Sequence, residues 1–140
     1  GRVAILGAGV QAVDFAAYLV TLGKKVVMIH SDSAIDIDKG QSGWFKKYII
    51  PYLQAKGTKI WSKAEILGVE NGGVKFVTDA GLEKIAACDS VVEFYNMLPN
   101  TDLADELEAA GFEVYIVGDC KEPHNIQQAV LSGNLAARQI

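Results

Sequence analysis

The chain has 140 residues, half of them hydrophobic and about a fifth charged, and its 13 basic and 17 acidic side chains give a net charge of −4. This length and composition are those of one soluble globular domain with an adequate core, and the negative charge argues against nucleic-acid binding. No apolar run approaches the ~20 residues that span a bilayer, and residues 3–6 are too few for the core of a signal peptide. We therefore expect a cytoplasmic protein with neither nucleic acid nor membrane as a partner.

Both ends of the chain are abrupt. It begins directly on an apolar strand pattern and ends inside a helical pattern, 125–140, so we expect a segment excised from a larger protein. Cys88 and Cys120 have neither metal-ligand nor disulfide spacing. We expect both thiols to be reduced and to serve as small core residues.

The first elements form a strand–turn–helix–strand unit. Residues 2–6 are a short apolar run typical of a buried strand, and a glycine turn follows. Apolar residues then recur at helical spacing over 10–22, with Gly23 placed to end the helix. A second buried strand is predicted over 26–29, which completes a βαβ unit of about 30 residues.

The remaining elements alternate between helical and strand patterns. Residues 31–42 are predicted to be loop, and 44–56 a helix that Pro51 must kink or restart. Two turn sequences, 71–73 and 79–81, separate three alternating runs and predict an antiparallel meander. The other predicted elements are strands at 58–61, 89–92 and 113–117 and helices at 103–110 and from about 125. The order predicts an α/β, Rossmann-like three-layer fold, a parallel sheet with an antiparallel β-meander inserted.

The motif Gly7-x-Gly9-x-x-Ala12 lies between the first strand and the first helix. Gly7 permits the tight turn, Gly9 lets the backbone approach a pyrophosphate, and Ala12 allows the helix to pack closely on the strand. The helix N-terminus, beginning with Val10 and Gln11, offers unpaired N–H groups and a dipole to an anion. The strand–turn–helix context favours a dinucleotide site over the alternative, a tight turn that holds no ligand.

His30, Ser31 and Asp32 follow the second strand, where the adenosine ribose is read. An acidic residue there favours NAD, whereas His30 and Ser31 could accept a 2′-phosphate and favour NADP; Asp32 could still bond the ribose. His30 could also be a plain polar residue at a strand end. These residues therefore do not decide whether the cofactor is NAD or NADP.

Gly118 and Asp119 follow the last predicted strand, so the carboxylate is expected at the ligand-binding edge of the sheet. A turn or helix-cap aspartate is an equal alternative. The two histidines, His30 and His124, lack metal-ligand spacing, and no nucleophile–base pair or hydrolase motif is present. We predict no catalytic residue and no metal site, and core packing for Trp44 and Trp61.

The chain resembles the nicotinamide-binding domain of the pyridine nucleotide–disulfide oxidoreductase superfamily. It is most similar to the C-terminal part of the old-yellow-enzyme-like NADH:flavin oxidoreductases, the type of 2,4-dienoyl-CoA reductase, 2-enoate reductase and trimethylamine dehydrogenase. The segments that carry the resemblance are residues 3–9, 23–27, 88–92, 99–100, 113–120, 122–123 and 136–138.

The resemblance implies that Gly7, Gly9 and Ala12 hold NAD(P)H, and that Gly118 and Asp119 belong to an FAD site whose remainder lies in other sequence. The segment from about 113 to 140 would then belong to the FAD side. The parent would be a flavoenzyme carrying FAD, with FMN and an iron–sulfur cluster possible, and the isolated domain would be inactive. Its partners would be the dinucleotide and the remaining flavin domains.

The chain departs from the family pattern at several positions. Asp14 stands in place of a glutamate, His30 in place of an acidic residue, and His124 in place of an arginine, while bulky residues 93–96 replace a small residue and glycine. The Phe94–Tyr95 pair keeps an alternative open: a degenerate module that binds only an adenine nucleotide or has a structural role in the parent. A free-standing redox-sensing regulator fits poorly, since no DNA-binding element is apparent.

Overall fold

A computed structural model of the chain describes residues 1–38, 43–95 and 97–140. They form two compact units, Gly1–Tyr95 and Asn96–Ile140, each of which is described by itself. Within the described residues, no helix has the length and apolar character needed to cross a membrane.

The first unit alternates strands and helices before it turns to consecutive strands. Its elements are β1 (Arg2–Leu6), α1 (Val10–Thr21), β2 (Lys25–Ile29), α2 (Gly43–Ala55), β3 (Lys59–Trp61), β4 (Glu65–Glu70), β5 (Gly73–Val77), β6 (Glu83–Ala87) and β7 (Ser90–Glu93). The predicted loop 31–42 contains a short 3₁₀ turn, Ala34–Asp36, and its residues 39–42 lie outside the described residues.

The parallel sheet has the strand order β3-β2-β1-β7. The central strand β1 pairs in parallel with both β2 and β7, with Leu6 opposite Ile29 and opposite Glu93. One face of the sheet packs on α1 and α2, and its core contains Ile5, Val13 and Leu53, all without exposed surface. Central parallel strands covered on both faces carry apolar runs, which explains why β1 was recognisable from sequence.

The antiparallel sheet β4-β5-β6 covers the other face of the parallel sheet. Val74 and Phe76 of β5 pack with Ala4 and Leu6 of β1 in a second core. The helical layer, the parallel sheet and the meander are the three layers predicted from the sequence. The Rossmann-like fold class is therefore confirmed.

The two helices of this unit end at glycines with left-handed backbone. After α1, the N–H of Gly23 (φ +70°) bonds the carbonyl of Val20, and the N–H of Lys24 bonds that of Leu19. This paired arrangement satisfies carbonyls at a helix end. Helix α2 continues through Pro51 as one element, so of the two alternatives predicted for that proline, a kink or a second helix, the second helix does not form.

The second unit contains two helices, α3 (Asp102–Ala109) and α4 (Ile126–Ala137), and a 3₁₀ turn, Gly118–Cys120. The side chain of Asn125 caps α4 by accepting a hydrogen bond from the N–H of Gln128 over 2.9 Å. The prediction of a strand over 113–117 is wrong. Val117 is extended (φ −135°, ψ 160°), but a strand needs a neighbouring ladder, and no described residue pairs with this segment.

Two expectations of burial are also wrong. Trp44 lies at the start of α2 with 74% of its surface exposed, and its ring contacts that of Tyr48 one turn on. Cys120 is exposed, whereas Cys88 is buried as expected. Trp44 lies in an apolar-rich helix in which Leu53 is buried, and Cys120 lies in a 3₁₀ turn, so residue type alone did not show that these two side chains are exposed.

Candidate functional site

The turn between β1 and α1 requires glycine at its first position. Gly7 has φ +118°, a conformation that L side chains rarely adopt, and its N–H bonds the carbonyl of Ile29 at the end of β2. A Cβ atom at Gly7 would lie 2.5 Å from the carbonyl oxygen of Phe94. The fold alone therefore accounts for this glycine.

Gly9 differs from Gly7 in that neither its backbone nor its packing requires glycine. Its dihedral angles, φ −70° and ψ 179°, are open to any residue. Beyond the two adjacent residues of the chain, the nearest described atom to a Cβ built there is Oε1 of Gln11, at 3.9 Å. The missing side chain leaves open space beside the N-terminus of α1.

The first turn of α1 presents unpaired donors. Its first intrahelical bond runs from the N–H of Val13 to the carbonyl of Gly9, so the N–H groups of Val10, Gln11 and Ala12 have no partner within the helix. No side chain of the described residues caps them, and the first turn holds no acidic residue. Ala12 is fully buried against the sheet, as the predicted close packing requires. The helix dipole and the free N–H groups make this terminus suited to an anion.

His30 directly follows β2 and is enclosed, with 3% of its surface exposed. Its Nε2 lies 2.8 Å from Oγ of Ser62, and its Nδ1 has no hydrogen-bond partner among the described residues. Burial lowers the pKa of His30, against smaller opposing effects of the Asp32 and Asp36 charges. The exposed side chains at this strand end are those of Ser31 and Asp32.

Asp38 is a residue of this region that sequence reasoning missed. Its N–H donates to the carbonyl of Ala8 over 2.6 Å, so it joins the loop after β2 to the glycine turn. The residue has φ +58° and no exposed surface, and neither carboxyl oxygen has a partner among the described residues. Burial raises its pKa, a nearby Lys46 lowers it, and Asp14 raises it further. A lone aspartate in a polar loop carries no sequence signal of burial.

Phe94 and Tyr95, the bulky pair at the end of β7, have different environments. The ring of Phe94 packs on the ring of Phe15 of α1, with centroids 5.5 Å apart, and joins the core on the helical side of the sheet. Tyr95 is 61% exposed. Packing therefore accounts for Phe94, and Tyr95 is the side chain that remains on the surface.

The sheet brings most of the predicted site residues together. Because β1 and β2 are adjacent and parallel, the glycine turn and the pair His30–Ser31 follow their carboxyl ends at the same edge. This is the edge at which open α/β sheets bind ligands. Among the described residues, no three His, Cys, Asp or Glu side chains are grouped as metal ligands would be.

Gly118 and Asp119 lie in the second unit. Gly118 has φ +65°, and its N–H donates to Oγ of Ser132 over 2.8 Å, which fixes the turn on α4. The exposed carboxylate of Asp119 accepts a hydrogen bond from the N–H of His124 at 3.3 Å. These contacts give Gly118 and Asp119 a structural role in the turn. Their expected role in binding a flavin stays a prediction.

Comparisons with known proteins agree with this architecture. The chain is 26% identical over 138 residues, 98% of its length, to a bilirubin reductase of Mediterraneibacter gnavus (strain CC55_001C). It superposes over its full length on histamine dehydrogenase from Rhizobium sp. 4-9, with a TM-score of 0.84 and 20% identity. It also superposes over 94% of its length on a 2-naphthoyl-CoA reductase solved with 2-naphthoyl-CoA, with a TM-score of 0.78 and 21% identity.

The chain spans about a fifth of each of these proteins: 21% of the bilirubin reductase, 23% of the histamine dehydrogenase and 20% of the naphthoyl-CoA reductase. The sequence profile of the pyridine nucleotide-disulphide oxidoreductases matches residues 1–120. The resemblance drawn from the sequence is thereby confirmed, and the chain belongs to the pyridine nucleotide-disulphide oxidoreductase family.

Proposed function

We propose that this chain binds NAD(P)H at the glycine turn and presents the nicotinamide to a flavin held mostly by other sequence. Gly9 is the observation that carries the proposal. Neither its dihedral angles nor its surroundings require glycine, whereas close approach of a pyrophosphate to the N-terminus of α1 does. Gly7 gives no such support, since the fold itself accounts for it.

The chain's own residues would supply binding and orientation. The N–H groups of Val10, Gln11 and Ala12 would stabilise the pyrophosphate, and Ser31 and Asp32 would contact the adenosine ribose. When bound, NAD(P)H supplies a hydride for transfer to a flavin. No residue of this chain is assigned a catalytic role, so we expect the isolated chain to be inactive. The parent would then be an NAD(P)H:flavin oxidoreductase, with Gly118 and Asp119 part of its FAD site.

The enclosed His30 also bears on cofactor type. Its Nε2 already contacts Ser62, whereas Asp32 is exposed. An exposed carboxylate beside the ribose favours its 2′-hydroxyl and repels a 2′-phosphate. We therefore propose a preference for NADH over NADPH.

Calorimetric titration of the purified chain with NADH, NADPH, ADP and FAD in parallel tests the proposal. We expect saturable NADH binding, and at least tenfold weaker binding to a Gly9→Asp variant, because the new carboxylate would fill the space beside the helix terminus and repel a phosphate. The Gly9→Asp variant should unfold at the same temperature as the native chain or slightly above it, since the position accepts a side chain and aspartate is a favoured cap at a helix N-terminus. The Asp32→Asn variant should reduce the difference between the binding affinities for NADH and NADPH, because it removes the carboxylate that repels the 2′-phosphate.

A degenerate module of the same parent is the second candidate, favoured by the exposed Tyr95 at the ligand-binding edge. It predicts binding of ADP with no gain from the nicotinamide half, or no nucleotide binding by a folded chain. Either result would overturn the proposal. A Tyr95→Gly variant that regains preference for NADH over ADP would identify the obstructing side chain.

A further inference from the structure

A basic cleft lies in the first unit at the end of the parallel sheet opposite the glycine turn. It has a volume of about 590 Å³ and is bounded by the N-terminal parts of β1 and β2, by the α2–β3 junction and β3, and by β5 and β6. This volume is within the range of small-molecule sites. Since the five-residue strand β1 is about 17 Å long, the cleft is separate from the proposed dinucleotide site.

Five of the described residues that line the cleft are basic and none is acidic: Arg2, Lys25, Lys56, Lys59 and Lys84. Such a concentration is unexpected in a chain whose net charge is −4. A cleft lined by one sign of charge raises the local concentration of ions of the opposite sign.

Strand register places three of these cations on one face of the sheet. Arg2 is opposite Lys25 in the β1–β2 pair, and Lys59 is opposite Val27 in the β2–β3 pair. Residues two apart on a strand share a face, so all three lie on the face that bears Val27 and Trp61 and packs against the meander. Like charges on neighbouring strand positions repel one another.

Little within the described part of the chain neutralises this cluster. Arg2 is paired with Asp89 at 3.5 Å, but both side chains are more than half exposed, so the pair is weak. Lys25 and Lys59 form no ion pair or hydrogen bond with any described side chain. Their ammonium groups remain available to an anion.

The floor and one wall of the cleft are aromatic or apolar. Phe76 is almost fully buried beneath it, and the ring of Trp61 lies 5.4 Å from it between centroids. The ammonium of Lys84, on β6, lies 5.4 Å from the centroid of the Trp61 ring. A ligand with a flat apolar body and an anionic end can therefore contact Trp61 with its body while the cations of the cleft surround its anionic end.

We infer that this cleft is a second ligand site, for a small anion with a flat apolar body, such as an aromatic carboxylate or phosphate ester. Lys25 and Lys59 bind the anionic group, and Trp61, which packs on the buried ring of Phe76, contacts the apolar body. The inference does not depend on the proposed dinucleotide site, which lies at the other end of the sheet.

Anilinonaphthalene sulfonate, a flat aromatic anion, is a suitable probe, and N-phenylnaphthylamine is its counterpart without the sulfonate. A Lys25→Gln/Lys59→Gln double variant should bind the sulfonate about tenfold more weakly than the native chain, with little change in its binding of the neutral probe. A Lys47→Gln/Lys121→Gln variant removes the same charge from exposed lysines outside the cleft and should bind the sulfonate as the native chain does. Nitrogen-15 NMR should place the largest shifts at the Trp61 indole and the amides of β2 and β3, and confirm that both variants are folded.

Two results would overturn the inference: equal weakening by both lysine pairs, or no saturable binding of the sulfonate at all. The Gly9→Asp variant separates the two sites. This variant should bind the sulfonate as the native chain does while its affinity for NADH falls. If it failed to bind the sulfonate, the probe would be bound at the glycine turn, and the inference of a ligand site in the cleft would be contradicted. Failure of NADH to bind the native chain would overturn only the proposed function.

Discussion

Nε2 of His30 lies 2.8 Å from Oγ of Ser62, so the side chains that directly follow β2 and β3 are joined by a hydrogen bond inside the first unit. A backbone bond from the N–H of His30 to the carbonyl of Trp61 runs alongside it. With 3% of its surface exposed, the imidazole cannot exchange Ser62 for water. This pairing holds together the two strand ends beside the proposed ribose site.

Replacing Ser62 with alanine should destabilise the first unit. The substitution leaves Nε2 of His30 without a partner in a buried position, which costs about 1–3 kcal/mol. Urea unfolding followed by circular dichroism measures the change. A Ser90→Ala variant, at an exposed position of β7, is the matched control and should change stability by less than about 0.5 kcal/mol. Equal effects of the two substitutions would contradict a structural role for the pair.

The buried imidazole also predicts a pH dependence of stability. Burial lowers the pKa of His30 below the usual 6.5, so the unfolded chain takes up a proton at a higher pH than the folded chain does. The contribution of this group to stability is therefore fully present above pH 6.5 and is lost as the pH falls below it, at no more than about 1.4 kcal/mol per pH unit.

A His30→Gln variant should lose this part of the pH dependence. Thermal unfolding at half-unit steps between pH 5 and pH 8 would measure it. His124 is exposed and supplies the control, because a His124→Gln variant should keep the native profile. If the two variants had identical profiles, the buried His30 could not be the source of the effect.

Asp38 predicts the opposite dependence. Burial raises the pKa of its carboxyl group, so the folded chain holds this proton to a higher pH than the unfolded chain does. The group's contribution to stability is then greatest below the usual value of 3.8 and is lost as the pH rises through the folded pKa. At neutral pH the chain carries a buried carboxyl group without a hydrogen-bond partner among the described residues.

An Asp38→Asn variant should therefore be more stable than the native chain at pH 7, by about 1–2 kcal/mol, with a smaller gain at pH 4. Asparagine is among the residues that tolerate the left-handed backbone at this position. Asp14→Asn, which removes the same charge from an exposed neighbour, should have a smaller effect. Destabilisation by Asp38→Asn at pH 7 would mean that the charged carboxylate is itself required.

Periodicity and turn chemistry were sufficient to predict the Rossmann-like core, because strands such as β1 are buried on both faces and α1 is bounded by glycines. The burial of Asp38 was not predictable, since it depends on Ala8, thirty positions earlier in the chain. The segment 113–117 has the composition of a strand, but composition cannot supply the partner that a strand needs. Gly9 was recognised from a motif, and it took the structure to separate its role from that of Gly7, through its dihedral angles and the open space around it.

Gly7 and Gly23, two of the glycines with positive φ, offer a test of how the glycine turn is held. Both have positive φ, +118° and +70°. A Cβ at Gly7 would lie 2.5 Å from the Phe94 carbonyl oxygen, whereas a Cβ at Gly23 would have no described atom within 4 Å beyond the two adjacent residues of the chain. Gly23→Ala should cost only the backbone strain, about 1–2 kcal/mol. Gly7→Ala adds a contact with backbone that cannot move without displacing β7 from β1, and should cost at least about 3 kcal/mol or prevent folding. Urea midpoints of the two variants measure the difference, and if Gly7→Ala proved as mild as Gly23→Ala, the close approach of β7 to the turn would be refuted.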